Sequence, residues 1–303
     1  MLLAAGLLLA ACSGGGGQAA PGGRRASGST TVEPATGATI ATGATAATGA
    51  TAATRAPQRR PSASAAAREL AARITAAETA IRDPATPARQ LPALGRDQQR
   101  AYRAIARRPG LLPKVLPLVP PAVRRVVEAN ATAGIELRAL SRPRASRPLP
   151  HWRIVAPPPA AELLADYRAA ERRLAVPWQY LAAIHLVETR LGRIHGTSPA
   201  GAEGPMQFLP PTWRRYGAGG DVHATGDAVM AAARFLRAHD APAHMAAALH
   251  AYNRSGRYVR AITAYAELLR VDQRAFLGYY HWQVYFGDTL LPEGYPRRPP
   301  ARD

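Results

Sequence analysis

Apolar residues recur at helical spacing through most of the chain beyond residue 63. Four of them lie at i, i+4, i+7 and i+11: Leu70, Ile74, Ala77 and Ile81. This spacing predicts a helix that ends at Asp83, because Pro84 disfavours helical backbone at the residue before it. Helices are also expected at about 97–108 and 123–140. We therefore predict a small helical domain over residues 63–145.

A linker rich in Pro and Arg, at 142–150, leads to a second helical part over 151–295. Helices are expected there at about 160–174, from Pro177 to near Gly192, around Val229 to Leu236, at 244–252 and at 257–270. Pro177 suits a helix start, where its missing N–H costs nothing. The aromatic segment 279–286 fits either a last core strand or the wall of a binding cleft, and the strand is preferred. The predicted fold class is mainly α.

The first 62 residues differ in composition. Residues 1–12 form an apolar run that is too short to span a bilayer and ends in small residues before the single cysteine, Cys12. This run resembles a bacterial lipobox, although no basic segment precedes it. Residues 13–62 repeat Ala-Thr-Gly-Ala-Thr and predict a disordered, flexible tether. We expect a lipoprotein signal peptide at 1–12 and a lipid anchor at Cys12 on the outer face of the cell membrane.

The formal net charge of +19 is carried almost entirely by arginine, since Lys114 is the only lysine. Such a charge suits nucleic acid, an anionic membrane or an acidic polymer. No finger spacing, basic zipper or aromatic RNA-binding strand is present in the sequence, so no nucleic-acid partner is expected. The histidines follow no metal-ligand spacing, and neither a metal nor a cofactor is expected.

Glu188 is the leading candidate for chemistry. It follows Leu181 and Ile184 at helical spacing, which places a carboxyl on an apolar stripe. Apolar surroundings disfavour the charged form, so the pKa of Glu188 should rise and the group can serve as a general acid. The alternative is a glutamate at a frayed helix end that bends out to water.

Two later segments carry residues suited to a binding cleft. Residues 198–208, Ser-Pro-Ala-Gly-Ala-Glu-Gly-Pro-Met-Gln-Phe, combine glycines and prolines for tight turns with a soft contact residue, an amide and an aromatic ring. Residues 251–253, Ala-Tyr-Asn, end an alanine-rich helical run and offer a phenol and an amide.

These blocks, in this order after Glu188, resemble the lytic transglycosylases with a lysozyme-like (SLT-type) catalytic domain, in particular the actinobacterial lipoprotein type. The resemblance implies a lysozyme-like catalytic domain over 151–295, preceded by the small helical domain and the tether. It also implies cleavage of the MurNAc-β-1,4-GlcNAc bond of peptidoglycan with formation of 1,6-anhydro-MurNAc, for cell-wall remodelling. Glu203 departs from the family pattern, where a neutral residue is commoner, and is interpreted as a solvated turn residue.

By the same resemblance, Glu188 is the single catalytic acid of a monomer that acts on peptidoglycan glycan strands without metal or cofactor. Six residues would bind the substrate: Ser198, Met206, Gln207, Phe208, Tyr252 and Asn253. Tyr252 is expected to steer the carboxyl of Glu188.

Two other functions stay open at this point. The first is a hydrolytic muramidase on the same fold. It would need a second carboxylate, such as Asp221 or Asp227, at roughly 6.5–9.5 Å from Glu188 to activate water. The second is a peptidoglycan-binding lipoprotein without catalytic activity.

Overall fold

The helices form largely where the apolar spacing predicts them. A computed structural model of the chain describes residues 62–141 and 148–296, and eleven α-helices lie in these two ranges. They are α1 (Ala63–Arg82), α2 (Leu91–Arg107), α3 (Leu112–Val115), α4 (Pro121–Leu140), α5 (Ala160–Leu174), α6 (Trp178–Thr189), α7 (Pro210–Tyr216), α8 (Thr225–Ala238), α9 (Met245–Tyr252), α10 (Gly256–Val271) and α11 (Ala275–Tyr280). The prediction of a mainly α fold is therefore confirmed.

Two helix boundaries differ from the prediction for local reasons. Helix α2 begins at Leu91 rather than near 97, and Pro92 occupies its first turn, where a missing N–H does no harm. Helix α6 ends at Thr189 rather than near Gly192. Arg190 and Leu191 already have φ values of 58° and 61°, and a right-handed helix cannot continue through left-handed backbone.

Four short strands complete the described part of the chain. Strands β1 (Arg153–Ile154) and β2 (Ile194–His195) pair antiparallel, with Arg153 opposite His195. Strands β3 (Val284–Phe286) and β4 (Thr289–Leu291) form an antiparallel hairpin. The predicted strand over 279–286 is thus confined to its last three residues, because the segment begins inside α11.

The N-terminal and C-terminal helices share one hydrophobic core. Helix α4 packs along α10, α2 packs against α11, and buried residues from α1 through α11 join in a single cluster. Residues 62–141 and 148–296 belong to one compact unit. The expected domain boundary near 145 falls at 142–147, which lies outside the described residues. The amphipathic faces of the first helices are therefore buried against the later helices.

A buried polar network fastens α1, α2, α4 and α11 together. Glu78 is fully buried, accepts hydrogen bonds from Tyr102 and Arg82, and lies 3.2 Å from the amide nitrogen of Asn130. The oxygen of the Asn130 amide accepts a 2.7 Å bond from the hydroxyl of Tyr279. Because a buried carboxylate needs both a counter-charge and hydrogen-bond donors, the four helices must meet for this network to form.

The N-terminal predictions concern residues beyond the described ranges. The signal peptide and lipobox at 1–12, the lipidated Cys12 and the tether at 13–62 (apart from Ser62, which caps α1) lie outside the residues that the structure describes. Within the described residues, no helix is both long enough and apolar enough to cross a bilayer.

The buried network predicts a large stability effect at Glu78. Glu78→Gln removes the buried negative charge next to Arg82 and should lower the free energy of unfolding by about 3 kcal/mol, measured by urea denaturation at pH 7. Glu69→Gln is the matched control on the same helix, because Glu69 is 64% exposed and pairs with Arg73 at the surface. The control should leave the denaturation midpoint unchanged. Equal effects of the two substitutions would contradict the role given to the network.

Candidate active site

Glu188 lies in the last turn of α6 and is enclosed by the protein. Glu188 is only 6% exposed, and ten of the twelve residues of α6 are buried. The hydroxyl of Tyr258, in the first turn of α10, donates a 2.8 Å hydrogen bond to Oε1 of Glu188. The predicted carboxyl on an apolar stripe is therefore a buried group, and the alternative of a frayed helix end is wrong.

Burial raises the pKa of Glu188 to about 7, and the hydrogen bond from Tyr258 partly counteracts this rise. The two effects oppose each other because desolvation disfavours the carboxylate, whereas a donated hydrogen bond favours it. No carboxylate of the described residues contributes to the shift. At neutral pH, Glu188 is therefore present in both protonated and ionised forms.

A tight hairpin over 203–208 packs beside the end of α6. Glu203 and Phe208 exchange two backbone hydrogen bonds of 2.9 Å, and the hydroxyl of Thr189 donates a 2.6 Å bond to the carbonyl oxygen of Pro205. Gly204 has a φ of 71°, and a Cβ there would lie 1.9 Å from the carbonyl oxygen of Val222. Only glycine fits this position, which fixes the hairpin next to Glu188.

Gln207 combines backbone strain with an unsatisfied acceptor. Its φ of 53° lies in the left-handed region, which costs a residue with a side chain about 1–2 kcal/mol. Its amide nitrogen donates a 3.0 Å bond to the carbonyl oxygen of Gly204, whereas its buried Oε1 has no hydrogen-bond partner among the described residues. Buried unsatisfied polar atoms are uncommon in folded proteins, and a bound water, ion or ligand is one way in which they are paired.

Asn253 presents a second unsatisfied acceptor. The residue is 8% exposed, and its Oδ1 has no hydrogen-bond partner among the described residues. It lies directly after α9, and its neighbour Tyr252 reaches the carbonyl oxygen of Met206, in the same hairpin as Gln207. The two amide oxygens thus belong to segments that Tyr252 ties together.

The expected contact between Tyr252 and Glu188 is wrong. The hydroxyl of Tyr252 donates a 2.6 Å bond to the carbonyl oxygen of Met206, and Tyr258 is the tyrosine that binds the carboxyl of Glu188. Tyr252 is the last residue of α9, and its phenol is directed to the hairpin. Tyr258 lies on α10, which packs directly against α6. Burial raises the pKa of the Tyr252 phenol, and the negative charge of ionised Glu188 nearby raises it further.

The other predicted binding residues have different surroundings. Met206 and Phe208 are 0% and 3% exposed and belong to the hydrophobic core, where Phe208 packs against Trp213 and Tyr252. Ser198 is buried, and its hydroxyl accepts a 3.0 Å bond from the backbone N–H of Ala202. Ser198 also lines a cavity of about 380 Å³ beside Trp152.

The other carboxylates considered from the sequence are engaged in turns. Asp221 accepts from the backbone N–H of His223, and Asp227 accepts from the backbone N–H of Asp221. The side chain of Glu203 is 38% exposed and lies 3.9 Å from the ring of His223. No side chain caps the start of α8, where Ala224 precedes the helix and Asp227 lies in its first turn.

Tyr258 is the functional residue that the sequence reasoning missed. It lies at i, i+4 and i+7 with Ile262 and Tyr265, so its spacing marks the buried face of α10 but does not indicate a contact with Glu188.

Ion pairs with α4 hold the beginning of α10 at the protein surface. Arg257 and Arg260 donate to Glu136 of α4 at 2.7 Å and 3.1 Å, on either side of Tyr258 in the sequence.

No protein-family model, curated protein or solved structure matches the chain. Within the residues that the structure describes, no group of three or more His, Cys, Asp or Glu side chains is placed to hold a metal ion. The chemistry of the site must therefore be inferred from the side chains themselves.

The geometry predicts an unusual titration of Glu188. Its side-chain carboxyl, followed by carbon-detected NMR, should titrate at about pH 7. Tyr258→Phe should move this midpoint to higher pH, because the donated hydrogen bond lowers the pKa of Glu188. Tyr180→Phe is the matched control, since Tyr180 lies at the other end of α6 and should leave the midpoint in place. A midpoint near the ordinary glutamate value would show that the carboxyl is open to water.

Proposed function

We propose that the protein is a peptidoglycan lytic transglycosylase with a lysozyme-like catalytic domain over 151–295. The enzyme would cleave the MurNAc-β-1,4-GlcNAc bond and form 1,6-anhydro-MurNAc. The observation that carries the proposal is the enclosed carboxyl of Glu188, whose pKa is raised to about 7 and which is held by the hydroxyl of Tyr258. A group with this pKa can donate a proton and then take one back near neutral pH.

The proposed reaction needs one carboxyl in two successive roles. Protonated Glu188 donates to the glycosidic oxygen, the bond from that oxygen to C1 of muramic acid breaks, and positive charge develops at C1. Ionised Glu188 then removes the proton of the C6 hydroxyl, whose oxygen attacks C1 and closes the anhydro ring. Atoms balance without water, because the proton that Glu188 loses in the first step is recovered in the second.

The unsatisfied amide oxygens support an N-acetylated sugar as the ligand. Oε1 of Gln207 and Oδ1 of Asn253 are acceptors, and the N–H of an N-acetyl group is a donor. A ligand that supplies such donors would remove the cost of leaving these oxygens unpaired. Sugar hydroxyl groups are donors as well, so these oxygens suit a carbohydrate ligand in general, N-acetylated sugars included.

The proposed location is extracytoplasmic, with a lipid anchor at Cys12 and a tether over 13–62. Its support is the apolar run before Cys12 and the low complexity of the residues that follow. A tether of this kind lets an anchored enzyme reach polymer at some distance from the membrane. The high net positive charge also suits a wall that carries anionic groups.

The products of purified peptidoglycan provide the decisive test. Wild-type protein should release muropeptides with 1,6-anhydro ends, and Glu188→Gln should release none above background, as measured by mass spectrometry. Products with hydrated reducing ends would instead support a muramidase, and identical behaviour of both proteins would support a non-catalytic binding protein.

We expect the Gln207 side chain to favour ligand binding, while its backbone conformation lowers stability. Gln207→Gly and Gln207→Ala both remove the amide, so each should weaken binding of N-acetylglucosamine oligomers by about fivefold, as measured by calorimetry in the Glu188→Gln background. The glycine variant should be more stable than the alanine variant by about 1 kcal/mol, because only glycine adopts a φ of this sign without strain. Unchanged affinity in both variants would remove Gln207 from the binding site.

A further inference from the structure

A groove of about 730 Å³ lies next to the end of α6 and contains a cationic side chain that the proposed reaction does not use. We call it the Arg153 groove, after the arginine of β1 that lines it. Its volume is within the range of about 300–1,000 Å³ that is typical of ligand pockets. His195 of β2 and His223 line the same groove.

Thr189 connects the Arg153 groove to Glu188. This residue follows Glu188 directly, donates to the carbonyl oxygen of Pro205 and accepts a 3.2 Å bond from the backbone N–H of Gly192. Pro205 and Gly192 both line the groove. The groove is therefore joined through Thr189 to the helix end that carries Glu188.

Within residues 62–141 and 148–296, no carboxylate pairs with the guanidinium of Arg153. Arg153 forms no ion pair with the carboxylates of the described residues, and its closest polar side-chain contact is Nδ1 of His195, at 3.4 Å. Burial and the neighbouring Arg153 both lower the pKa of His195, which favours the uncharged form of this ring. The guanidinium of Arg153 is exposed and lines the groove without a carboxylate partner among the described residues.

The acidic groups near the groove belong to other contacts. Glu203 lies 3.9 Å from the ring of His223. Asp227 accepts a hydrogen bond from the backbone N–H of Asp221. Asp166 lies next to Gly226, which belongs to the first turn of α8. None of these carboxylates pairs with Arg153, which leaves the β1 side of the groove as its cationic end.

The walls of the groove are stiff. Pro157, Pro158 and Pro205 restrict the backbone, and Gly204 and Gly196 have no room for a side chain. A Cβ on Gly196 would lie 2.5 Å from the ring of Trp152. A groove with such walls exists before a ligand arrives, so little ordering cost opposes binding.

We propose that the Arg153 groove binds a carboxylate of the peptide stem that the muramic acid of the substrate carries. This inference rests on the proposed function. In a peptide-bearing strand the lactyl carboxyl of muramic acid is bonded to the stem as an amide, so the glycan offers hydroxyl, N-acetyl and amide groups, whereas the stem carries the free carboxylates. A guanidinium without a carboxylate partner, near the end of the catalytic helix, favours the stem over the glycan of the same strand, because arginine binds carboxylates through charge-assisted, bidentate hydrogen bonds.

The test compares two soluble substrates made from one peptidoglycan preparation that has been freed of phosphate polymers. One consists of peptide-bearing glycan strands, and the other of the same strands in which the free carboxyl groups of the stems have been converted to carboxamides. On peptide-bearing strands, Arg153→Gln should lower kcat/KM by about tenfold, mainly through KM, because the lost contact is made equally in the bound substrate and the transition state. On strands with amidated stems, the variant should match the wild type.

Arg173→Gln is the matched control, since Arg173 is an exposed arginine in the last turn of α5 and does not line the groove. It should leave both substrates unaffected. Equal losses of Arg153→Gln on both substrates, or no loss on either, would overturn the inference while leaving the proposed function intact. If the wild type forms no anhydro ends from either substrate, the proposed function fails and the inference fails with it.

Discussion

The enclosed carboxyl of Glu188 is the constraint on which the arrangement of the site depends. Its pKa of about 7 lies roughly 2.5 units above the ordinary glutamate value of 4.5, which corresponds to roughly 3 kcal/mol. The native state therefore binds this proton more tightly than the unfolded state does. The resulting stability is fully present below pH 4.5 and is lost as the pH rises through about 7. A fold that keeps Glu188 buried at neutral pH must obtain its stability elsewhere.

The N-terminal helices are one place where that stability arises. Helix α4 is bound at its middle, where Asn130 joins Glu78 and Tyr279, and again near its end, where Glu136 binds Arg257 and Arg260. The second contact holds the first turn of α10, from which Tyr258 reaches Glu188. The N-terminal helices thus contribute, through α10, to the packing that positions the carboxyl of Glu188.

Sequence periodicity was sufficient to predict the longer helices and the apolar stripe that carries Glu188, because both follow from the spacing within a single segment. The short helices α3, α7 and α11 were not predicted. Periodicity was insufficient for contacts between segments. Tyr252 and Tyr258 lie six residues apart on either side of a helix break, and only the packing of α10 on α6 decides which phenol reaches the carboxyl. The apolar face of α4 was visible in the sequence in the same way, whereas its burial against α10 was not.

The features of Gln207 were beyond sequence reasoning for a different reason. A left-handed φ at a glutamine and an acceptor without a partner both oppose ordinary residue preferences, so no local pattern predicts them. Two contacts hold the hairpin that carries Gln207 in place. These are the close approach of Gly204 to Val222 and the hydrogen bond from Thr189 to the carbonyl oxygen of Pro205.

The balance at Glu188 also explains how one carboxyl can suffice in the proposed reaction. Burial alone would raise the pKa further and make protonated Glu188 a poorer proton donor. The hydrogen bond from Tyr258 stabilises the ionised form and keeps the pKa near 7. Donation and recovery of the proton then have similar driving forces. A second carboxylate nearby would disturb this balance, since its negative charge would raise the pKa of Glu188 further.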